Sequence, residues 1–466
     1  MEEKSLGKQL QEQLAMKTEN LGMTMTDEEL EKAFRFSEGY KIFLDQGKTE
    51  REVVTEIEIL AKQKGFTAFD PAKKYTAGDK VYYNNRGKAM ILAVIGTQPL
   101  ENGVHIAASH IDSPRLDLKQ CPFYEDTELA LWKTHYYGGI KKYQWAAIPL
   151  SLHGVVVRKD GTTVEVHIGE ELDDPVFCVT DLLPHLAADQ MKRTLADGVK
   201  GEELNILIGS LPFREDDLSE RVKLNILKIL YDKYGVTERD FVSAELEMVP
   251  AYPARDLGLD RSMIGAYGQD DRVCAYTSLM AALECDKPKT TLVTVFADKE
   301  ETGSDGNTGL KAAYLKYFIA DLAKPYGVEG RTVLSNSTCL SADVNAALDP
   351  TFSDVHDRRN AAYLNRGVVL TKYTGARGKS GTSDASAEFV AQINRIFDAE
   401  NVAWQTGELG KVDHGGGGTV AAYIANLGVD VIDMGVPVLS MHAPFEVTSK
   451  LDVYMTYRGF AAFANA

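Results

Sequence analysis

The apolar run Leu292–Ala297 ends in Asp298-Lys-Glu300-Glu301-Thr-Gly303-Ser304. Two adjacent glutamates at the end of a buried strand repel each other unless a proton or a cation lies between them. Other stretches far away in the chain share this design. The stretch 104–108 reads as a strand and runs into Ser109-His110-Ile-Asp112-Ser-Pro114, and a metal-bound imidazole commonly has its second nitrogen held by a carboxylate or a carbonyl. In Gly268-Gln-Asp270-Asp271 two acids open an apolar helix; capping accounts for one of them better than for both. Ser341-Ala-Asp343 and Met441-His442 each follow an apolar approach. Taken singly, a Glu-Glu pair reads as a solvated loop and a histidine as a structural hydrogen-bonder. Together, two imidazoles and three or four carboxylates are a poor iron–sulfur or structural zinc set. They suit two divalent ions bridged by a carboxylate and a water, roughly 3.5–4 Å apart, with a spare glutamate to move the water's proton. That chemistry is hydrolysis.

Such residues have to be gathered by a sheet whose strands end at one edge. Residues 292–297 read as a strand covered on both faces, and its polar continuation emerges where open α/β sheets hold ligands. Up to about Gly65 the chain reads as amphipathic covering helices, with Val53, Ile57 and Leu60 on one face. Residues 80–95 read as two strands around an Asn-Asn-Arg-Gly turn, the second central. Between Arg115 and Val249 the texture changes: a hairpin is expected around Asp160-Gly161, a strand near residues 204–209, and a helix over 218–234 closed by Gly235. These features describe a β-rich domain inserted into the first and a candidate for subunit association. Beyond it the spacing predicts a helix over 307–322, a hairpin-like segment at 368–374, a helix over 385–397, a Gly-rich turn Gly415–Gly418 leading into a helix, a strand over 429–436 and a last helix over 451–464. The fold class is α/β, a mixed sheet sandwiched by helices, with residues 1–115 and 250–466 forming the main domain and 116–249 the insertion.

With 466 residues the chain exceeds one ordinary core. A formal charge of −17 argues against a nucleic-acid partner, and no apolar run is long enough for a membrane partner. The segment Met1-Glu-Glu-Lys-Ser-Leu-Gly-Lys lacks the features of a signal peptide, and five cysteines without a Cys-x-x-Cys point to neither disulfides nor a thiolate site. A cytoplasmic protein is expected.

In order, His110-x-Asp112-x-Pro, Gly268-x-Asp270-Asp271, Asp298-x-Glu300-Glu301-x-Gly-Ser, Ser341-Ala-Asp343 and Met441-His442 resemble the metal-site motifs of the aspartyl aminopeptidase family, of the co-catalytic zinc exopeptidase clan. The resemblance spans nearly the whole chain. It implies a metalloaminopeptidase in which His110 and His442 each bind one ion, Asp270 bridges them with Asp271 as runner-up, and Glu301 and Asp343 complete the ligands. It further implies Asp112 as the residue orienting His110 and Glu300 as general base. The ions are expected to be Zn2+, with Co2+ or Mn2+ as alternatives. The family also implies that the inserted domain dimerises and that dimers assemble into a tetrahedral dodecamer acting on peptides.

On the substrate side, Gly417 lies in the Gly-rich run, which lacks the Lys-Ser or Lys-Thr of a phosphate loop and reads as a substrate-facing turn, with His414 beside it. Lys379 stands where relatives place basic residues that recognise an acidic side chain. Its surroundings, Arg-Gly-Lys-Ser-Gly, depart from the Asn-Gln-Arg-Tyr of strict aspartyl enzymes, which leaves an acidic preference open. His185 lies near where relatives lend a histidine to the partner subunit. The alternatives are a catalytically silent shell or binding protein of the same fold, and a carboxypeptidase or deacylase of the same clan.

Overall fold

The structure, a computed structural model, describes residues 5–215 and 218–466. The first four residues of the amino-terminal segment read above lie outside the described residues.

Nine strands make the central sheet, in the order Thr67–Ala68, Lys80–Asn85, Ala89–Val94, Leu292–Ala297, His105–His110, Thr338–Ala342, Asp430–Gly435, Val368–Thr371 and Trp404–Thr406. The four from Leu292–Ala297 to Asp430–Gly435 are mutually parallel, and the strands flanking them are antiparallel to them. Side chains alternate between two cores. Met90, Leu92, Phe296, Leu340 and Ile432 join one with helices Asp27–Gln46, Glu50–Gln63, Gln269–Glu284, Ala387–Ala399 and Lys450–Asn465. Ile91, Ala93, Val293, Val295 and Val431 join the other with Tyr314–Ala323, Gly330–Ser335 and Ala421–Ala425. Covered faces on both sides explain why all six residues of Leu292–Ala297 are buried and apolar or small. Since the inner strands are parallel, His110, Asp298 and Asp343 arrive at the same edge.

The chain leaves this sheet at His110, and Arg115–Asp126 begins a second one. Its seven strands, in the order Thr163–Ile168, Leu150–Val157, Ala244–Pro250, Arg115–Asp126, Leu129–Tyr137, Ile206–Gly209 and Cys178–Val179, are all antiparallel and all drawn from residues 115–250. They surround a separate core that includes Trp132, Trp145 and Met248. Residues 111–114, ending in Pro114, belong to neither sheet, and strand pairing resumes at Arg115. A five-stranded sheet, Arg255–Leu257, Met263–Ala266, Glu446–Ser449, Pro437–Leu439 and Asn345–Ala346, carries the approach to His442.

Two expectations are corrected. The helix expected from Asn307 starts at Tyr314, because Thr308 Oγ1 donates to Asp298 Oδ2 (2.6 Å) and ties the preceding turns to the end of the strand. Val368–Thr371 forms no hairpin; its neighbours are the distant strands Trp404–Thr406 and Asp430–Gly435. The Gly-rich run enters a helix of five residues, Ala421–Ala425.

Candidate metal centre

At the shared edge, the two carboxylate oxygens of Asp270 face different imidazoles. Oδ1 lies 3.2 Å from His110 Nε2 and Oδ2 lies 3.2 Å from His442 Nε2. Asp343 Oδ1 is 3.8 Å from His110 Nε2, and Glu301 Oε2 is 3.6 Å from His442 Nε2. The result is two three-residue groups, His110–Asp270–Asp343 and Asp270–Glu301–His442, joined at Asp270.

The surroundings fix which ring nitrogen faces inward. His110 Nδ1 is 3.0 Å from the Asp112 carbonyl, and His442 Nδ1 is 2.8 Å from the Gly139 carbonyl. A carbonyl only accepts, so each Nδ1 carries a proton and Nε2 is the nitrogen turned to the cluster, where a bound cation would take the place of its proton. Asp112 is fully buried and does more than touch His110: its Oδ1 accepts from Glu300 N (3.1 Å), and its Oδ2 accepts from Glu301 N (3.2 Å) and the Tyr137 hydroxyl (2.7 Å). Asp271 turns away, its Oδ2 accepting the His110 backbone N–H at 3.3 Å. Asp270 is therefore the acid that faces both imidazoles.

The donor set fits divalent cations. Asp270 Oδ1 and Glu301 Oε1 are buried without a hydrogen-bond donor, a costly state for carboxylates unless a cation is near. Burial, together with the charges of Asp343 and Asp270, pushes Glu300 up to about 8. Burial and Asp270 raise Glu301 well above the carboxylate range, and burial also raises Asp343. Burial opposes the charge on His442, but the bond to Asp270 and the charge of Glu301 outweigh it and raise that ring to about 11. Crowded acids that hold one another's protons are the arrangement a divalent ion relieves.

A third group, Glu52–His153–His167, also brings three candidate ligand atoms together. Its spacing differs. Glu52 Oε1 is 2.7 Å from His153 Nδ1 and 3.0 Å from His167 Nδ1, while His153 Nε2 is 2.9 Å from Glu170 Oε1. These are short hydrogen bonds, whereas the distances around Asp270 run from 3.2 to 3.8 Å, at the long end of that range and beyond it.

Beside the metal centre lies a cavity of about 480 Å3. Glu300, Gly417 and the apolar side chains Val344, Leu409, Tyr423 and Met441 line it. His185, Lys379 and His414 do not. His185 is exposed on the inserted module and His414 is exposed on its loop. Lys379 pairs with Asp384 (2.9 Å) and borders a smaller cavity that shares Thr374 and Leu409 with the large one. Gly416 also lines the cavity, and with φ 110° a Cβ there would lie 2.0 Å from the Gly375 carbonyl oxygen, so the run can take no side chain at that position.

Sequence reasoning passed over Tyr137, Gly139 and Glu446. Glu446 is buried and accepts from the backbone N–H of both Asp270 (3.0 Å) and His442 (2.8 Å). Its spacing four residues after His442 was the available signal.

A mixed α/β sheet with imidazoles and carboxylates at its edge defines the zinc exopeptidase class of metallopeptidases. Residues 43–464 match the family described as Aminopeptidase I zinc metalloprotease (M18). The chain is 52% identical over 447 residues to a probable M18 family aminopeptidase 1 of Clostridium acetobutylicum, covering 94% of this chain and 96% of that one. It is 47% identical over 449 residues to one of Thermotoga maritima, covering 95% and 98%. The crystal structure of the Thermotoga maritima M18 aminopeptidase superposes with a TM-score of 0.91 at 46% identity, over 97% of this chain and 99% of that one. That of aminopeptidase I from Clostridium acetobutylicum gives 0.91 at 48% identity, over 97% and 100%. The chain belongs to the M18 family and is a zinc metalloaminopeptidase.

Proposed function

We propose that this aminopeptidase works with two zinc ions, one held by His110 and Asp343, the other by Glu301 and His442, with Asp270 ligating both. The observation that carries the reading is the division of the Asp270 carboxylate between two imidazoles at equal distances of 3.2 Å. Zinc bound there supplies Lewis acidity, polarising the scissile carbonyl and acidifying water. Glu300 is the general base: its backbone N–H is pinned by Asp112, its side chain lines the cavity, and it belongs to neither ligand group. It takes a proton from the attacking water and returns it to the leaving amine. Asp112 orients His110 and holds the backbone of both glutamates.

The side chain of the residue released has the cavity walls to satisfy. Among the described residues lining it none is Lys or Arg, while Val344, Leu409 and Met441 offer apolar surface. A neutral N-terminal residue is therefore favoured over an acidic one. We further propose residues 116–249 as an association module. Much of the exposed apolar surface lies there, including Leu182, Leu183, Leu186, Met191 and Leu195. The yeast mApe1, 20% identical with a TM-score of 0.75 over 91% of this chain, is a dodecamer, and the same assembly is proposed here. We also propose a cytoplasmic location, where the five free cysteines would stay reduced.

The test is a panel of peptides differing in their first residue, assayed before and after chelation. Leu or Met substrates should be cleaved faster than Asp or Glu, an N-acetylated peptide should be inert, and chelation should abolish turnover until zinc is restored. Cleavage of the acetylated peptide, or full activity without metal, contradicts the proposal.

A further inference from the structure

Three consecutive residues at the end of strand Leu129–Tyr137 reach from the second sheet into the metal centre. The Tyr137 hydroxyl donates to Asp112 Oδ2 at 2.7 Å. Gly138 has φ 75°, and a Cβ there would lie 3.3 Å from Glu301 Oε2 and 3.3 Å from Pro114 Cγ. The Gly139 carbonyl accepts from His442 Nδ1 at 2.8 Å. One short arch thus bonds a residue serving the His110 half-site and the His442 ligand of the other half, and a side chain at its middle residue would press on Glu301.

We propose that the 137–139 arch of the inserted module is part of the metal centre, Tyr137 positioning the His110 half-site through Asp112 and Gly138–Gly139 positioning Glu301 and His442. The inference rests on the two-ion reading above. Asp112 is a buried carboxylate whose direction is set by its donors, the backbone N–H groups of Glu300 and Glu301 and the Tyr137 hydroxyl. Asp112 Oδ1 lies 3.3 Å from His110 Nδ1; with the hydroxyl removed, Oδ2 keeps a single donor and the carboxylate is freer to rotate away from His110. Tyr137 is itself braced: the Arg115 guanidinium lies 4.0 Å over its ring, and Arg115 pairs with Glu50 of the main domain and Glu247 of the inserted module. The Nδ1 proton of His442 is held by a carbonyl of the inserted module, which turns Nε2 toward Asp270 and Glu301. At Gly138 the left-handed backbone disfavours a side chain, and a Cβ placed there would press on Glu301 Oε2 and Pro114. Outer partners of metal ligands typically govern affinity by about 10- to 100-fold.

The experiment is a zinc titration of chelator-stripped full-length protein against a competing chromogenic chelator, with the melting temperature of the stripped protein measured alongside. Tyr137→Phe should weaken one of the two binding steps by about tenfold, leave the other and the metal-free melting temperature unchanged, and lower kcat with little change in KM. Gly138→Ala should weaken the other step. In the background of Asp343→Ala, which keeps the Glu301–His442 half, Tyr137→Phe should add nothing and Gly138→Ala should still act. Tyr136→Phe is the neighbouring control and should match wild type. Wild-type binding by both Tyr137→Phe and Gly138→Ala overturns the inference while leaving the two-ion reading intact. Equal weakening of both steps together with a lower metal-free melting temperature marks a merely structural role and also overturns it. A wild-type protein that binds no zinc overturns both.

Discussion

Glu300 and Glu301 are neighbours in the chain and do different work in the structure. Glu301 Oε2 faces His442 at 3.6 Å, while Glu300 lines the cavity outside both ligand groups. Glu300→Gln keeps the shape and removes the proton carrier, so kcat should fall by about a hundred- to ten-thousand-fold with zinc content unchanged by elemental analysis; near-normal turnover contradicts its role. Asp343→Ala should lower zinc content from two ions to one, because His110 and Asp270 alone leave that half short of ligands. The five short motifs could be read because each acid or imidazole stands at a strand end or a helix start, where side-chain type and position together announce chemistry. Whether Asp270 or Asp271 faces the imidazoles was not legible, since adjacency in sequence does not say which way each carboxylate turns. Gly139 was beyond reading for a different reason: it acts through its carbonyl, which every residue has.

At the scale of elements, helix Glu50–Gln63 joins the two domains through a charged clasp. Glu52 Oε2 caps its own helix by accepting from the backbone N–H of Thr49 (2.9 Å), which aims Oε1 at His153 of strand Leu150–Val157. Both nitrogens of His153 face carboxylates, Glu52 on one side and Glu170 on the other; carboxylates only accept, so the ring is an imidazolium. Lys48 holds Glu170 at 2.8 Å, His167 flanks Glu52, and Arg51, Glu56 and Glu165 border the adjoining cavity. Burial opposes the charge on His153, but its bonds to Glu170 and Glu52 raise it to about 9. A histidine in the unfolded chain titrates near 6.5, so the clasp contributes fully below about pH 6.5 and is lost as pH rises through about 9. On the acid side, burial is outweighed by His153 and Lys48, which lower Glu170 to about 2; that contribution is present above about 4.5 and lost as pH falls toward 2. Between pH 6.5 and 10 the wild type should lose on the order of 2–3 kcal/mol from His153, measured by denaturant melts, and His153→Gln should flatten that slope. An equal slope in the variant contradicts the clasp. The two hairpin strands around Asp160-Gly161 were legible from their turn, and the buried strand Leu292–Ala297 from its run of apolar residues. The late start of helix Tyr314–Ala323 was not, because a bond from Thr308 to Asp298 overrides local helical preference.

For the whole molecule, a mixed sheet brings distant segments to one edge and an inserted antiparallel module closes over it from outside. The association surface proposed above carries the exposed leucines at 182, 183 and 186. Leu183→Asp with Leu186→Asp should reduce the mass measured by light scattering while leaving the zinc content of each chain unchanged; an unchanged mass contradicts that surface. Assembly left a weak trace in sequence, since an exposed leucine is evident only once its strand or loop is placed. The centre was legible as a set of residues, whereas its closure by the second domain depends on a tyrosine hydroxyl and a glycine carbonyl. The most direct test of the account is anomalous diffraction at the zinc edge from the zinc-reconstituted protein. It predicts two peaks on either side of the Asp270 carboxylate, one at His110 Nε2 and Asp343, the other at His442 Nε2 and Glu301. A single peak, or zinc bound at Glu52 and His153 in place of Asp270, would contradict it.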